Sequence, residues 1–339
     1  MLNGSKRERL LWVDLLNICA CISVVFVHCT NSQIHNFNGN FDIPYYIGLI
    51  SHSFALWAVP AFIMISGCNL LGYEGSWKHF YVRRFVRTVV PFCLWSLFYF
   101  GLFFHKGIPL KEFVERFLNG QFNNHMWFFI PLFALYLSMP FLSAFVKNSS
   151  ERKLKAFVLV SFIFVSLLPF VFALLDLNCW KGTVFPMGTM YFVYAVLGYC
   201  ISRRKNMQWK KYAYLGIFSG VVQFVLLVVF FQSGSPLYKI LLQYEYPLNF
   251  FVSLGVFCFF ANCDWALALA KIRVKPAFIA KVSSCSLGVY LLHATIIFFS
   301  NWLNLNIANP YFGFICVYLI SLAIIAVMKK IPVVKIMVP

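Results

Sequence analysis

The run LLWVDLLNICACISVVFVHC, residues 10–29, constrains this chain more than any other stretch. About 20 mostly apolar residues in a helix reach across the hydrocarbon core of a bilayer. The run nevertheless contains Asp14, Asn17 and His28, and a polar group in hydrocarbon is costly unless something pairs with it. At about 100° per residue, Asn17 and His28 are only about 20° out of line, and Asp14 falls about 40° to the other side of His28. The three share one stripe, with about 16 Å of helix axis between Asn17 and His28. That stripe must face other helices or a wet cavity, and it joins one side of a membrane to the other.

The same kind of run recurs along the chain. Its 339 residues are 61% hydrophobic and 20% aromatic, with only 11% charged, where a soluble domain carries about 25% charge. Apolar spans fall near 10–30, 47–72, 80–104, 127–146, 155–175, 189–203, 211–231, 245–262, 282–302 and 310–328. They predict an all-α polytopic membrane protein, a bundle of about ten transmembrane helices. Of the 28 Lys and Arg, five (Lys106, Lys111, Arg116, Lys181 and Lys239) fall on one side of the spans and 23 on the other. The positive-inside rule then puts both termini in the cytoplasm. The net charge of +18 is therefore a topology signal and calls for no nucleic-acid partner.

Residues 1–339 show no linker, repeat or low-complexity tract, so they read as one integral membrane domain. The first span is too long for a signal-peptide core and is followed by no small-x-small cleavage site, so it is expected to stay. The 11 cysteines stand singly, with no CxxC, and read as small buried hydrophobes rather than disulfides or metal ligands. In the outer loop 105–126, Leu110, Phe113, Val114, Phe117 and Leu118 have the spacing of an amphipathic helix along the interface.

Three histidines fall on the outer side: His28, His293 in SLGVYLLHATII, and His125 just before span 4. A lone His near a helix end is ordinarily an interface residue. Three on one side can assemble a proton-handling site, since His titrates near neutral pH. No HxxxH spacing suggests a metal. On the cytoplasmic side, HFYVRRFVRTVVPF places Arg87 four residues after Arg83 and three after Arg84, so the guanidinium groups can cluster on one helix face. Topology alone accounts for Arg83 and Arg84, whereas Arg87 reaches a turn deeper, just before Pro91. Clustered guanidinium forks clamp phosphates, so a phosphorylated ligand is the expectation there. In span 2, Ala58, Ala61, Ser66 and Gly67 permit close packing and Pro60 permits a kink. Trp127 reads as an aromatic-belt residue.

Together these stretches resemble the membrane acyltransferase-3 family. VDLLNICACISVVFVH looks like its first helix, VPAFIMISG, RRFVRTVVP, HMWFF and SLGVYLLH follow in the family's order, and nearly the whole chain is covered. Within the family the likeness is nearest to the enterobacterial-common-antigen O-acetyltransferase branch, which also lacks an appended soluble domain. The resemblance implies a multi-pass protein of the bacterial inner membrane. It also implies transfer of an acyl group, usually acetyl from acetyl-CoA, to a hydroxyl of a lipid-linked or surface glycan, with no metal. The family's first helix carries an Arg, ten residues, then a His. His28 matches the His, and Asn17 stands where the Arg would be, able to hydrogen-bond but without charge. Arg84 and Arg87 match the family's RxxR pair and inherit its proposed contact with CoA.

The residue-level and family readings meet in one expectation. Acyl-CoA docks from the cytoplasm at Arg83, Arg84 and Arg87, with Asn17 along the way, and His28 acts as general base or acyl carrier. Asp14, His293, His125 and Trp127 take supporting places. Two other classes fit a bundle with internal polar groups: a glycolipid or polysaccharide transporter, and a membrane sensor that keeps the fold without catalysis. Thioester turnover separates both from the enzyme.

Overall fold

The computed structural model describes residues 10–35, 39–104, 106–177, 179–180, 188–204 and 207–339. Lys6, Arg7, Arg9, Lys181 and Lys205, all part of the charge asymmetry, lie outside the described residues. Every regular element among the described residues is helical. In order they are α1 Leu11–Cys29, α2 Asn31–His35, α3 Ile43–Phe54, α4 Ala58–Leu70, α5 Trp77–Arg84, α6 Val90–Phe103 and α7 Leu110–Leu118. There follow α8 Phe129–Lys147, α9 Glu151–Ser161, α10 Leu168–Leu174, α11 Met190–Arg203, α12 Trp209–Gln232 and α13 Tyr238–Leu241. The chain closes with α14 Pro247–Asn262, α15 Trp265–Lys271, α16 Pro276–Ser283, α17 Ser286–Trp302 and α18 Gly313–Met328.

Six helical stretches are long and apolar enough to cross a membrane, or up to eight if two bent pairs each count as one span. Those pairs are α14 with α15, bent by 71°, and α16 with α17, bent by 54°. The protein is thus a polytopic membrane protein. The apolar runs of the sequence all fall on helices, though α11 and α18 are short, at 14 and 16 residues. Leu97, Leu137, Phe141, Phe218 and Val327 stand exposed on the outside. Gln223 and Asn249 are buried inside, where their amides donate to the backbone carbonyls of His52, Leu241 and Gln243. An apolar exterior over an interior where these amide donors find backbone acceptors is what hydrocarbon solvent selects.

Contact between helices is close where side chains are missing. A Cβ on Gly67 of α4 would stand 1.9 Å from the Ala195 carbonyl oxygen of α11, and one on Gly198 would stand 2.2 Å from that of Met64. The two backbones therefore touch at a pair of glycines, as small residues allow in membrane bundles. The VPAFIMISG stretch serves this packing. Its kink, however, is not at Pro60. The helix breaks at Ala55–Trp57, and Pro60 sits in the first turn of α4, where its missing N–H deprives no carbonyl of a partner.

Two turns widen to π-helix, Phe85–Val89 and Phe162–Leu167. In the first, the Val90 amide donates to the Phe85 carbonyl, and in the second the Leu168 amide donates to that of Ile163. Each is followed at once by a proline, Pro91 or Pro169. A proline has no N–H for the carbonyl four residues back, and here the register slips to i+5 just before it. Arg87 lies inside the first of these turns, and Arg84 just before it.

The amphipathic helix expected in the loop 105–126 forms as α7. Phe113 and Phe117 pack against Phe100, Phe122 and Phe92, while Leu110, Val114 and Leu118 remain exposed. Helix α1 is the hub of the bundle and packs against α4, α14, α16, α17 and α18. Its polar stripe turns toward those neighbours.

Candidate active site

The last turn of α1 presents His28 to two other rings. His293 of α17 lies 5.0 Å away between ring centroids and His125, just before the 3-10 turn Met126–Phe128, lies 6.4 Å away. His125 and His293 are themselves 5.0 Å apart. Three distant parts of the sequence thus bring their histidines to one point, with His293 fully buried and His125 1% exposed.

Backbone and amide oxygens fix two of the rings. His293 Nδ1 is 2.6 Å from the Tyr290 carbonyl oxygen, and His125 Nδ1 is 2.9 Å from Asn123 Oδ1. An oxygen with no hydrogen of its own can only accept, so in each neutral ring the proton sits on Nδ1. The Nε2 atoms of His125 and His293 are buried and have no hydrogen-bond partner among the described residues. In that tautomer they are bare acceptors, which is how an imidazole takes up a proton.

Tyrosines hold this cluster together. Tyr290, one turn before His293, donates its hydroxyl hydrogen to the His125 carbonyl. The Tyr99 hydroxyl donates to the Leu291 carbonyl at 2.7 Å, accepts from Thr295 Oγ1 at 3.1 Å, and its ring meets that of His125. Trp127 stacks on Tyr244 at 5.6 Å and with it lines the space beside His28. It therefore belongs to the wall of the site and is more than a belt residue. The cavity there is about 20 Å³, room for roughly one water. Buried His52 of α3 binds the Gly48 carbonyl through Nδ1 and stands near both His35 and His28.

The opposite, basic end of α1 meets a broken helix. Helices α16 and α17 part at Ser284–Cys285, and Asn17 donates to the Ser283 carbonyl and hydroxyl, both at 3.1 Å. Cys21 donates to the Ser286 carbonyl at 3.4 Å, and Lys329 Nζ donates to the Ser284 carbonyl at 2.6 Å. Asp14 is buried on the same stripe. Arg87 carries Arg83 and Arg84 as positive neighbours and in turn acts on Lys329. The Arg84 guanidinium also lies over the rings of Phe80 and Tyr136, 5.5 Å from each centroid. Arg83 and Arg87 are exposed at the surface.

The sequence-based candidates thus separate into two groups. His28, His125, His293 and Trp127 meet at one end, and Asn17, Arg83, Arg84 and Arg87 lie toward the other. Tyr290, Tyr99, Tyr244, His52 and Lys329 were not among the candidates. Tyr290 could have been found, because it precedes His293 by three residues and shares its helix face. Lys329 was visible only as one more cytoplasmic charge. Among the described residues, no group of three or more His, Cys, Asp or Glu could hold a metal ion.

The fold and site together define a helical membrane bundle with three histidines gathered at one end. The family model described as an acyltransferase domain, acyltransferase-3, matches residues 10–329. The chain belongs to that family and is a membrane acyltransferase. No curated protein matches it, and no solved structure does.

Proposed function

We propose that the protein moves an acyl group, acetyl in the first instance, from cytoplasmic acyl-CoA to a hydroxyl of an envelope or exopolysaccharide glycan at the bacterial inner membrane. The observation that carries this reading is the meeting of His28, His125 and His293, with two buried Nε2 atoms bare. His28 takes the proton of the acceptor hydroxyl as its oxygen attacks the thioester carbonyl. The carbon–sulfur bond then breaks, and the proton passes to the departing thiolate, so no net proton is consumed. His293 and His125, held by Tyr290 and Asn123, keep the imidazole of His28 among neutral rings. Arg83, Arg84 and Arg87 hold the CoA phosphates at the basic end, with Lys329 adding a fourth cation beside Arg87. A space of about 20 Å³ beside His28 admits no thioester, so the donor's arrival must part helices, and the breaks at Ala55–Trp57 and Ser284–Cys285 are the places to yield.

One residue favours a second reading. Asn17 carries no charge where the family has Arg, and its amide is committed to Ser283. A protein that binds the donor without turning it over, a sensor of the same fold, would tolerate that exchange. Purified protein in proteoliposomes with labelled acetyl-CoA separates the two. Transfer predicts acceptor-dependent loss of the thioester, with the matching acetyl mass on the host glycan only when the gene is present. Donor binding without thioester loss would establish the sensor.

A further inference from the structure

Beyond the histidine cluster, at the same end of the bundle, lies an open cleft of about 520 Å³, within the roughly 300–1,000 Å³ of small-ligand sites. Its walls continue the two elements that carry the site. Gln33 comes from α2, which follows α1 and stands little more than a helical turn past His28 in the chain. Asn306, Tyr311 and Phe312 come from the segment that follows α17, the helix of His293. Asn40 and Asp42 close the rim at the start of α3.

The chemistry of the lining is selective. Side-chain amides offer both donors and acceptors, which is what vicinal hydroxyls require. Among the described residues that line the cleft there is one carboxylate, Asp42, and no Lys or Arg. An anionic ligand would find no counter-charge there. Tyr311 and Phe312 are 51% and 60% exposed, flat apolar faces suited to the C–H face of a pyranose ring. Their backbone is fixed in advance, since Asn309 Oδ1 accepts from the amides of both, at 3.0 and 3.1 Å. Across the cleft Asp42 Oδ1 accepts from the Tyr45 amide at 2.9 Å and fixes the start of α3. Preorganised walls spare the ordering cost of binding. An aromatic belt at a membrane surface accounts for exposed rings, but not for amides gathered with them in one concavity.

We infer that this cleft is a carbohydrate subsite that holds the uncharged sugar residues of the acceptor glycan beyond the one whose hydroxyl meets His28. Its purpose rests on the acyl-transfer reading, whereas its binding does not. The glycan lies with its rings against Tyr311 and Phe312 and its hydroxyls against Gln33, Asn40 and Asn306.

The test uses the full chain in lipid nanodiscs, titrated with chitotetraose as a neutral probe and with tetragalacturonate as an anionic one of similar length. Saturation-transfer NMR reads binding, and acetyl-CoA affinity and turnover are measured on the same samples. Chitotetraose should bind saturably, and tetragalacturonate more weakly. Tyr311→Ala and Phe312→Ala should each weaken chitotetraose by roughly three- to tenfold, and Phe312→Trp should restore it. Acetyl-CoA affinity should stay at the parental value in all three, which also reports that they fold. Absence of saturable chitotetraose binding to the parent protein overturns the subsite. So does equal binding by the alanine variants, or a preference for tetragalacturonate. Chitotetraose binding without any acetyl-CoA turnover leaves the subsite standing and removes the transfer reading instead.

Discussion

Asn17 gives its side-chain amide to both the carbonyl and the hydroxyl of Ser283, 266 positions away in the chain. The contact sits where α16 ends, and a helix end leaves carbonyls without partners, a cost that hydrocarbon does not relieve. Asn17 and Lys329 supply donors there, to Ser283 and Ser284 respectively. The residue standing in the family's Arg position therefore steadies the break between α16 and α17.

Asn17→Ala removes both hydrogen bonds and should lower unfolding free energy by about 1–3 kcal/mol. Asn17→Arg keeps donors at the position, and should be tolerated or raise affinity for acyl-CoA. Chemical unfolding in detergent beside donor titration checks both. A fully stable Asn17→Ala variant would show that the break is held by other groups.

The glycine pair sets the distance between α4 and α11. Gly67→Ala or Gly198→Ala would drive a methyl group into a backbone carbonyl, which no side-chain rotation relieves. Both variants should lose folded protein, read as monodisperse yield after membrane extraction, whereas Gly101→Ala, whose added Cβ would meet nothing within 4 Å, should match the parent. Normal yield from Gly67→Ala would mean the helices stand farther apart than described.

Lys329 gives a pH dependence of defined sign. Burial is the main influence that lowers the pKa of its ammonium, Cys285 opposes the shift, and the charge of Arg87 adds to it. The protonated form is thus disfavoured in the folded state, and between the two pKa values the unfolded chain binds more protons. Stability must rise with pH across that interval. The interval runs from the lowered folded value to about 10.4 in the unfolded chain. Unfolding curves of parent and Lys329→Gln, compared along an alkaline series, should diverge in the parent's favour as pH increases. Parallel curves would contradict the assignment.

Orientation follows from the asymmetry of basic residues. Single cysteines introduced at Asn119 and Asn306 should react with an impermeant thiol reagent from outside intact cells. Those at Ser150 and Lys335 should react only after permeabilisation. Labelling of Ser150 from outside would invert the bundle and move His28 to the cytoplasmic half.

Much of this arrangement could be read from the chain because hydrocarbon imposes so few solutions. Long apolar runs had to be helices, and the stripe of Asp14, Asn17 and His28 had to face inward. That His28, His125 and His293 can assemble followed from their shared side, but not which rings meet, since no local spacing reports a contact across 97 or 265 positions. The π-turns were written in Val90–Pro91 and Leu168–Pro169, a signal seen only once the i+5 bonds are known. The seating of Arg84 over the Tyr136 ring of another helix is a packing event invisible to periodicity. The same holds for Lys329, whose partner Ser284 lies in the break between α16 and α17.

In the proposed reaction the arginines bind phosphate and His28 carries the chemistry. Calorimetric binding of acyl-CoA beside steady-state turnover, for His28→Ala and Arg87→Lys, tests it most directly. Arg87→Lys keeps the charge but loses the fork. It should weaken donor binding by roughly tenfold or less and recover turnover at high acyl-CoA, since uniform binding acts on KM more than kcat. His28→Ala should bind acyl-CoA as the parent does, while turnover falls by about 10²–10⁴ at saturating donor. If His28→Ala turns over normally, or loses only donor affinity, His28 is not the catalytic base.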